Sequence, residues 1–224
     1  FKATTNALAK PDTIKKLSNK EQVLIKHYKK EIKKSSKIPE SFVKEFSKLS
    51  SKSYSQWVKA REKKDYKLFA PFMEKLIKMK KEEANLINSK ANAYDLIVDD
   101  FETGMTQATI DPVFQELRDG IIALLSQIKR SKKYKTQKNI LKKLDFPADK
   151  QMQICKEIIQ LMLQEDKRYK VAESVHPFTT RLSYDDVRLT TAYRKGMPLF
   201  SFTSASHEAG HALYELGMDK KLKF

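Results

Sequence analysis

Apolar side chains recur every three or four positions along most of this chain, which is the spacing of one face of an α-helix. The first stripe ends near Ser36, and the second begins after Pro39 and continues to about Lys63. Further stripes begin near Pro71, Asn92, Thr106 and Pro147. The sequence contains no internal repeat and no linker rich in serine and glycine. It therefore predicts a single domain over residues 1–224, with helices throughout residues 1–174.

The same spacing predicts which side chains are buried. In the stripe that begins near Thr106, the residues predicted to face the core are Ile110, Val113, Phe114 and Leu117, and a further apolar run follows Gly120. Trp57 is predicted to pack in the core rather than to support a cofactor. Cys155 lies in an apolar run, which favours a small buried hydrophobic side chain over a nucleophile. Because a single cysteine forms no internal disulfide, the sequence predicts a reducing, cytoplasmic compartment.

The spacing changes to two at residues 176–193, where two β-rich runs are separated by a three-residue turn. This pattern predicts a small β-hairpin within residues 175–195. Alternation along the second strand places apolar residues on one face and Asp186, Arg188 and Thr190 on the other. The polar row can form a wall of a peptide groove, with an extended substrate adding as a strand. Alternatively, it faces solvent with a local pair between Asp186 and Arg188.

Helical spacing returns over residues 199–216, and this segment contains the motif His207-Glu208-Ala209-Gly210-His211. Residues four apart on a helix are offset by only about 40°, so the two imidazoles can reach one metal ion. Zinc suits them because it takes neutral imidazole nitrogens in tetrahedral geometry. Glu208 flanks the fourth position, where a water would bind, and is predicted to be the general base. The apolar positions of this helix lie on the opposite side, at Phe202, Ala205, Ala209, Ala212, Leu213 and Leu216.

Two points about this motif stay open at the level of the residues. The two histidines can instead be solvated side chains on an amphipathic helix. A third zinc ligand is also needed, and the extended motif that supplies a third histidine fails because Tyr214 and Gly217 occupy the required positions. Glu215 lies on the same straight helix as His211, where it does not converge on the ion. A distant Asp or Glu is the alternative.

The formal charge of +17 comes mostly from lysine, since the 45 basic residues comprise 38 Lys and 7 Arg. Nucleic-acid surfaces usually combine arginine with exposed aromatic residues, whereas most of these lysines lie on the polar faces of helical patterns. We therefore expect a solvated surface and no specific nucleic-acid partner. No apolar run approaches the roughly 18 residues that a membrane span requires, so no membrane partner is predicted.

Three motifs follow one another in the last part of the chain: His176-Pro177-Phe178, Asp186-x-Arg188-x-Thr190 and His207-Glu208-Ala209-Gly210-His211-Ala212-Leu213-Tyr214-Glu215. In this order and at this spacing they resemble the carboxypeptidase Taq family of thermostable metallocarboxypeptidases. Three upstream segments are similar to the same family: Trp57-Val58-Lys59-Ala60-Arg61, Leu68-Phe69-Ala70-Pro71-Phe72 and Gly104-Met105-Thr106. The resemblance covers nearly the whole chain.

The resemblance implies a mainly α fold, namely a helical, groove-bearing metallopeptidase lobe with the small β-hairpin beside the zinc-binding helix. It implies that His207 and His211 hold Zn²⁺, which Co²⁺ or another divalent ion can replace, and that Glu208 is the base. The implied substrates are peptides, trimmed from the C-terminal end with broad specificity, and the full-length form is implied to be a homodimer. The residues expected to bind substrate are His176, Asp186, Arg188 and Thr190, with Arg188 as the candidate cation for the terminal carboxylate.

The chain departs from the family at the third ligand, which the family takes from a glutamate in a later His-Glu-Ser-Gln type motif. Only 13 residues follow His211 here. We therefore expect an internal or truncated part of a larger domain, with weak zinc binding and peptide hydrolysis near background. Two alternatives are a catalytically inactive helical fragment or basic binding module, and an endo-oligopeptidase that carries the same zinc motif.

Overall fold

The structure is a computed structural model that describes residues 2–136, 145–164, 166–194 and 196–222. The described helices are α1 (Lys2–Leu8), α2 (Pro11–Ile14), α3 (Asn19–Ser35), α4 (Glu40–Lys63), α5 (Ala70–Asn88), α6 (Ala93–Val98), α7 (Gln107–Arg130), α8 (Lys132–Thr136), α9 (Ala148–Leu163) and α10 (Pro198–Gly217). The strands are β1 (Tyr169–Glu173), β2 (Thr179–Ser183) and β3 (Asp186–Thr191). The chain divides into two compact units, Phe1–Ile128 and Lys129–Phe224. None of the helices in the described ranges is long and apolar enough to cross a lipid bilayer.

The longer helices of the first unit begin and end at local capping signals. Ser18 and Glu21 form a reciprocal capping box at the start of α3. The extended backbone of Pro39 precedes α4, and Lys64 ends that helix in the left-handed conformation, with φ 53°. Pro71 occupies the first turn of α5. These boundaries confirm the helices predicted after Pro39 and near Pro71.

The core of the first unit is small. Phe42 and Ala60 of α4 and Met79 and Ala84 of α5 are buried. Trp57 is half-buried, and its ring lies 4.8 Å from the Arg61 guanidinium carbon. It therefore packs against its own helix rather than in the buried centre.

Helix α7 is amphipathic, as predicted, but its apolar face is not covered. It continues through Gly120 without a break. Val113, Phe114 and Leu117 are 63%, 61% and 52% exposed, so the prediction that they face a core is wrong for the part of the chain that the structure describes. The apolar spacing identified a face that can be buried, but spacing alone does not identify what covers it.

The second unit packs α9 and α10 against a three-stranded sheet of order β1-β3-β2. Strand β3 pairs antiparallel with β2, which confirms the predicted hairpin, and parallel with β1. Strand β1 was not predicted, since residues 1–174 were expected to be helical. Its five residues alternate only weakly, with Tyr169 and Val171 half-buried, and its partner lies beyond the hairpin turn, so no local signal marks it.

The core of this unit lies between α9, β3 and α10. Its members are Cys155, Ile159, Leu163, Val187, Leu189, Ala205, Ala209, Ala212 and Leu216. The three alanines of α10 are completely buried, so the helix approaches its neighbours closely along this side. The predicted core side of α10 is confirmed, except that Leu213 is 44% exposed.

Candidate metal centre

Helix α10 is fixed at both ends by buried or half-buried polar side chains. Near its start, the Ser201 hydroxyl donates to the Gln151 amide oxygen at 2.6 Å, and the amide nitrogen of Gln151 donates to the Arg194 carbonyl at 3.0 Å. At its end, Arg168 donates to the Leu216 carbonyl at 3.1 Å. Because Gln151 has its amide oxygen and nitrogen both bonded, it joins α9, the segment after β3 and α10 without leaving an unpaired buried group. The side chains on α10 therefore stand on a rigid support.

His207 and His211 project from the exposed side of α10, one turn apart. Their Nε2 atoms are 3.1 Å apart, and the two rings are nearly perpendicular, at 89°. Two nitrogens bound to a tetrahedral zinc ion at about 2.0–2.1 Å would lie about 3.3 Å from each other. The two imidazoles therefore fit a zinc ion in donor type and in spacing.

Glu208 points to a different side of α10 and is only 6% exposed. Its Oε2 atom lies 2.7 Å from Oγ1 of Thr179, the first residue of β2. The same hydroxyl lies 3.0 Å from the backbone carbonyl oxygen of Glu208. The carboxylate next to the first histidine is therefore held against the edge strand of the sheet.

Within the described residues, no third His, Cys, Asp or Glu joins the two histidines in a group that can hold a metal. Glu215 lies instead beside β2, where its Oε2 is 3.2 Å from Nε of Arg181. The distance makes an ion pair, but the N–H is not aligned for a hydrogen bond, and in the described ranges Glu215 Oε2 is the buried side-chain oxygen that lacks one. Glu215 therefore pairs with the sheet rather than with the histidines.

His176 and Thr190 are connected through Ser174. The Ser174 hydroxyl lies 2.6 Å from the His176 carbonyl oxygen and 2.6 Å from Thr190 Oγ1. Thr190 Oγ1 also accepts the backbone N–H of Phe178 at 3.0 Å. The motif His176-Pro177-Phe178 is therefore in contact with Thr190, the last residue of the second motif. Thr179 follows Phe178 directly in the chain.

Asp186 and Arg188 pair with each other on β3. Arg188 Nη2 donates to Asp186 Oδ2 at 2.7 Å, and its Nε donates to Oδ1. These hydrogen bonds hold the pKa of Asp186 below its ordinary value. Since Val187 and Leu189 face the core with α10, Asp186 and Arg188 lie on the opposite face of the sheet. The structure does not bring this pair to the histidines.

The sequence reasoning missed two residues of this site, Thr179 and Arg181, both on β2. They alternate with exposed neighbours and face α10, where they contact Glu208 and Glu215. The available signal was the position of Thr179 directly after His176-Pro177-Phe178. A threonine and an arginine in a strand have too many ordinary uses for the sequence alone to select them.

Comparison with known proteins gives a consistent picture. The profile described as carboxypeptidase Taq (M32) metallopeptidase matches residues 2–224. Carboxypeptidase 1 of Bacillus subtilis (strain 168) is 35% identical over 194 residues, which cover 87% of this chain and 38% of that protein. Thermostable carboxypeptidase 1 of Pyrococcus furiosus is 27% identical over 220 residues, which cover 98% of this chain and 44% of that protein.

The fold agrees with these matches. The crystal structure of BsuCP superposes with a TM-score of 0.91 at 32% identity, covering 99% of this chain and 44% of that chain. The chain thus spans less than half the length of these relatives. With a profile match over almost all of its residues, the chain belongs to the carboxypeptidase Taq (M32) metallopeptidase family.

Proposed function

We propose that this chain provides part of the catalytic groove of a zinc-dependent metallocarboxypeptidase, which releases C-terminal amino acids from peptides with broad specificity. The observation that carries the proposal is the arrangement on α10, where two Nε2 atoms lie 3.1 Å apart and the carboxylate between them in sequence is held beside an edge strand. Family membership supports the reaction type. A homodimeric full-length form and a cytoplasmic location belong to the same proposal.

His207 and His211 would hold the zinc ion, with Co²⁺ as a substitute. When bound, the ion would polarise the scissile carbonyl and acidify a water molecule. Glu208 would take a proton from the attacking water and pass it to the nitrogen of the leaving amino acid. Oε1 of Glu208 suits this role, since Oε2 already accepts a hydrogen bond from Thr179.

The free edge of β2 is the proposed binding site for the peptide backbone. Phe178 accepts a backbone hydrogen bond from Thr190 at 2.8 Å. Bonded and non-bonded pairs alternate in an antiparallel ladder, so the backbone groups of Thr179 and Arg181 point away from β3. No strand of the described part of the chain pairs with that edge. An extended peptide can therefore add to β2 beside Glu208.

Arg188 is the proposed cation for the terminal carboxylate, together with Asp186, His176 and Thr190 as substrate contacts. Its guanidinium is 47% exposed but already bonded to Asp186. A substrate carboxylate that binds Arg188 has to share the guanidinium with Asp186 or displace Asp186 from it. Because the proposed role of Arg188 is to bind substrate, we expect Arg188→Ala to raise KM rather than to lower kcat.

We further propose that the third zinc ligand and the opposite wall of the groove lie outside the described residues. The chain of 224 residues would then bind zinc weakly and hydrolyse peptides near background. We define the longer form as this chain continued past Phe224 by the part of Bacillus subtilis carboxypeptidase 1 that follows the matched segment. The longer form would provide the missing groups.

The experiment compares two peptides of the same sequence, one with a free C-terminus and one with an amidated C-terminus, incubated with the zinc-loaded longer form. The proposal predicts stepwise release of amino acids from the free peptide and little release from the amidated one. Equal cleavage of both would instead indicate an endo-oligopeptidase. A folded longer form that cleaves neither peptide would indicate a catalytically inactive fold.

A further inference from the structure

The carboxylate of Glu208 receives an uneven set of contacts. Oε2 is 2.7 Å from the Thr179 hydroxyl. In the described ranges, that hydroxyl is the side-chain donor to this carboxylate, and Oε1 receives none. Oε1 is not one of the fully buried oxygens that lack a partner in those ranges, so it is not completely shielded from solvent. One oxygen is thus hydrogen-bonded to Thr179, and the other has no protein donor within the described residues.

The Thr179 hydroxyl can donate only one proton, while two acceptors lie within its reach. The carbonyl oxygen of Glu208 is 3.0 Å away and the carboxylate oxygen is nearer. Hydrogen bonds to an ionised acceptor are shorter and stronger than those to a neutral one. The hydroxyl therefore donates to the carboxylate rather than to the carbonyl.

The position of Thr179 is itself set by Thr190. The residue before Thr179, Phe178, donates its N–H to Thr190 Oγ1 at 3.0 Å and accepts the Thr190 N–H at 2.8 Å. Thr190 is 7% exposed, and its hydroxyl also contacts Ser174 at 2.6 Å. Backbone and side chain of one buried residue thus fix the start of β2. Because Thr179 is the next residue, its hydroxyl has little freedom to move away from Glu208.

We infer that Thr179 is a positioning residue for Glu208: its hydroxyl holds Oε2 so that Oε1 alone is presented to the attacking water, and Thr190 holds Thr179 in place. This inference rests on the proposed function for the role of Glu208, but the contact itself is independent of it. A carboxylate held in one orientation avoids the loss of rate that follows when a base samples unproductive rotamers.

A first test uses the 224-residue chain and does not depend on activity. Thr179→Val removes the hydroxyl and keeps the shape, and a crystal structure of this variant is expected to show the Glu208 carboxylate displaced or in more than one rotamer. Thr179→Ser is expected to restore the single position. The matched control is Thr180→Val, the same change at the next, exposed residue of β2. If Thr179→Val does not fold, Thr179→Ala serves in its place. A Glu208 carboxylate that keeps its position without the hydroxyl overturns the inference.

A second test uses the longer form loaded with zinc. Thr179→Val is expected to lower kcat about 10- to 100-fold with KM unchanged, and Thr179→Ser to recover most of the rate. Thr4→Val, the same change at an exposed residue of α1, is expected to match the unsubstituted protein. An unchanged kcat, or a lowered rate that serine does not rescue, overturns the inference. If the unsubstituted longer form shows no zinc-dependent release at all, the proposed function fails, and the crystallographic position of Glu208 still decides the role of Thr179.

Discussion

At the scale of single residues, Glu208 is the side chain on which the proposed chemistry depends. Glu208→Gln keeps the size of the side chain and removes its capacity to accept a proton. In the longer form we expect turnover to fall by about 10²- to 10⁴-fold, the usual contribution of a general base. Zinc binding is expected to persist, since neither histidine changes. Turnover on a short peptide and a zinc titration measure the two effects.

The matched control is Glu157→Gln, the same change at an exposed residue of α9, which should leave turnover and zinc binding as they are. A Glu208→Gln protein that retains turnover within a few-fold of the unsubstituted form would show that another group is the base.

Cys155 illustrates a residue whose environment, rather than its type, sets its reactivity. It is completely buried in the core of the second unit, and burial raises the pKa of its thiol to about 11. Because the thiolate is the reactive species, we expect a thiol reagent at pH 8 to modify the native chain slowly and the chain in denaturant quickly. Rapid labelling of the folded chain would show that α9 separates readily from α10.

The same group contributes to the pH dependence of stability. Its pKa is higher in the folded state, so its contribution to the free energy of unfolding is fully present below the pKa of the unfolded thiol. That contribution is lost as the pH rises through about 11. Since Cys155→Ala removes this group, the slope of unfolding free energy against alkaline pH should be shallower in the variant.

At the scale of the elements, the sequence predicted the helices well because their signals are local. Pro39, Pro71 and Pro147 each stand at or beside the start of a helix, as the spacing indicated. It predicted β2 and β3 for the same reason, since a hairpin joins neighbouring segments. It missed β1 because a parallel partner must be found across an intervening strand. It also predicted burial for α7, where apolar spacing records a preference but not a partner.

Two adjacent residues of α10 test the close packing of that helix. Ala209 is completely buried, so Ala209→Leu should destabilise the fold by about 1–3 kcal/mol through overpacking. Gly210 is exposed, and a Cβ added there meets nothing within 4 Å. Gly210→Ala should therefore stabilise the helix by about 0.5–1 kcal/mol. Denaturant unfolding measures the change in the free energy of unfolding for both variants. An Ala209→Leu protein as stable as the unsubstituted chain would mean that α10 is not closely packed.

The exposed face of α7 should make the 224-residue chain associate as its concentration rises. Val113→Glu and Leu117→Glu place charges within this face, where both side chains are more than half exposed, and should reduce association without unfolding the helix. Gln115→Glu, at an exposed polar position of the same helix, is the control for the added charge. Sedimentation velocity measures the degree of association. Equal association of all three variants would show that a surface other than the apolar face of α7 is responsible.

At the scale of the whole molecule, only the part of the candidate site that lies on a single helix could be predicted from the sequence. The spacing of His207 and His211 on α10 identified the candidate metal-binding pair, because convergence at four residues is a property of the helix itself. Thr179 was not predictable, since its contact with Glu208 depends on how β2 docks on α10. Alternation along β3 places Asp186 and Arg188 on the face of the sheet away from the core, as the sequence predicted, and their contact with a substrate stays a prediction.

The most direct test of the proposed zinc centre measures zinc affinity and amino-acid release from a free peptide, in parallel, for the 224-residue chain and for the longer form. We predict weak zinc binding and background release for the 224-residue chain. We predict tight binding and zinc-dependent release for the longer form, with both properties lost in His211→Ala and kept in His27→Ala, a histidine of α3. Robust release by the 224-residue chain alone would contradict the assignment of a missing third ligand. A folded longer form whose zinc binding survives His211→Ala would contradict the metal centre itself.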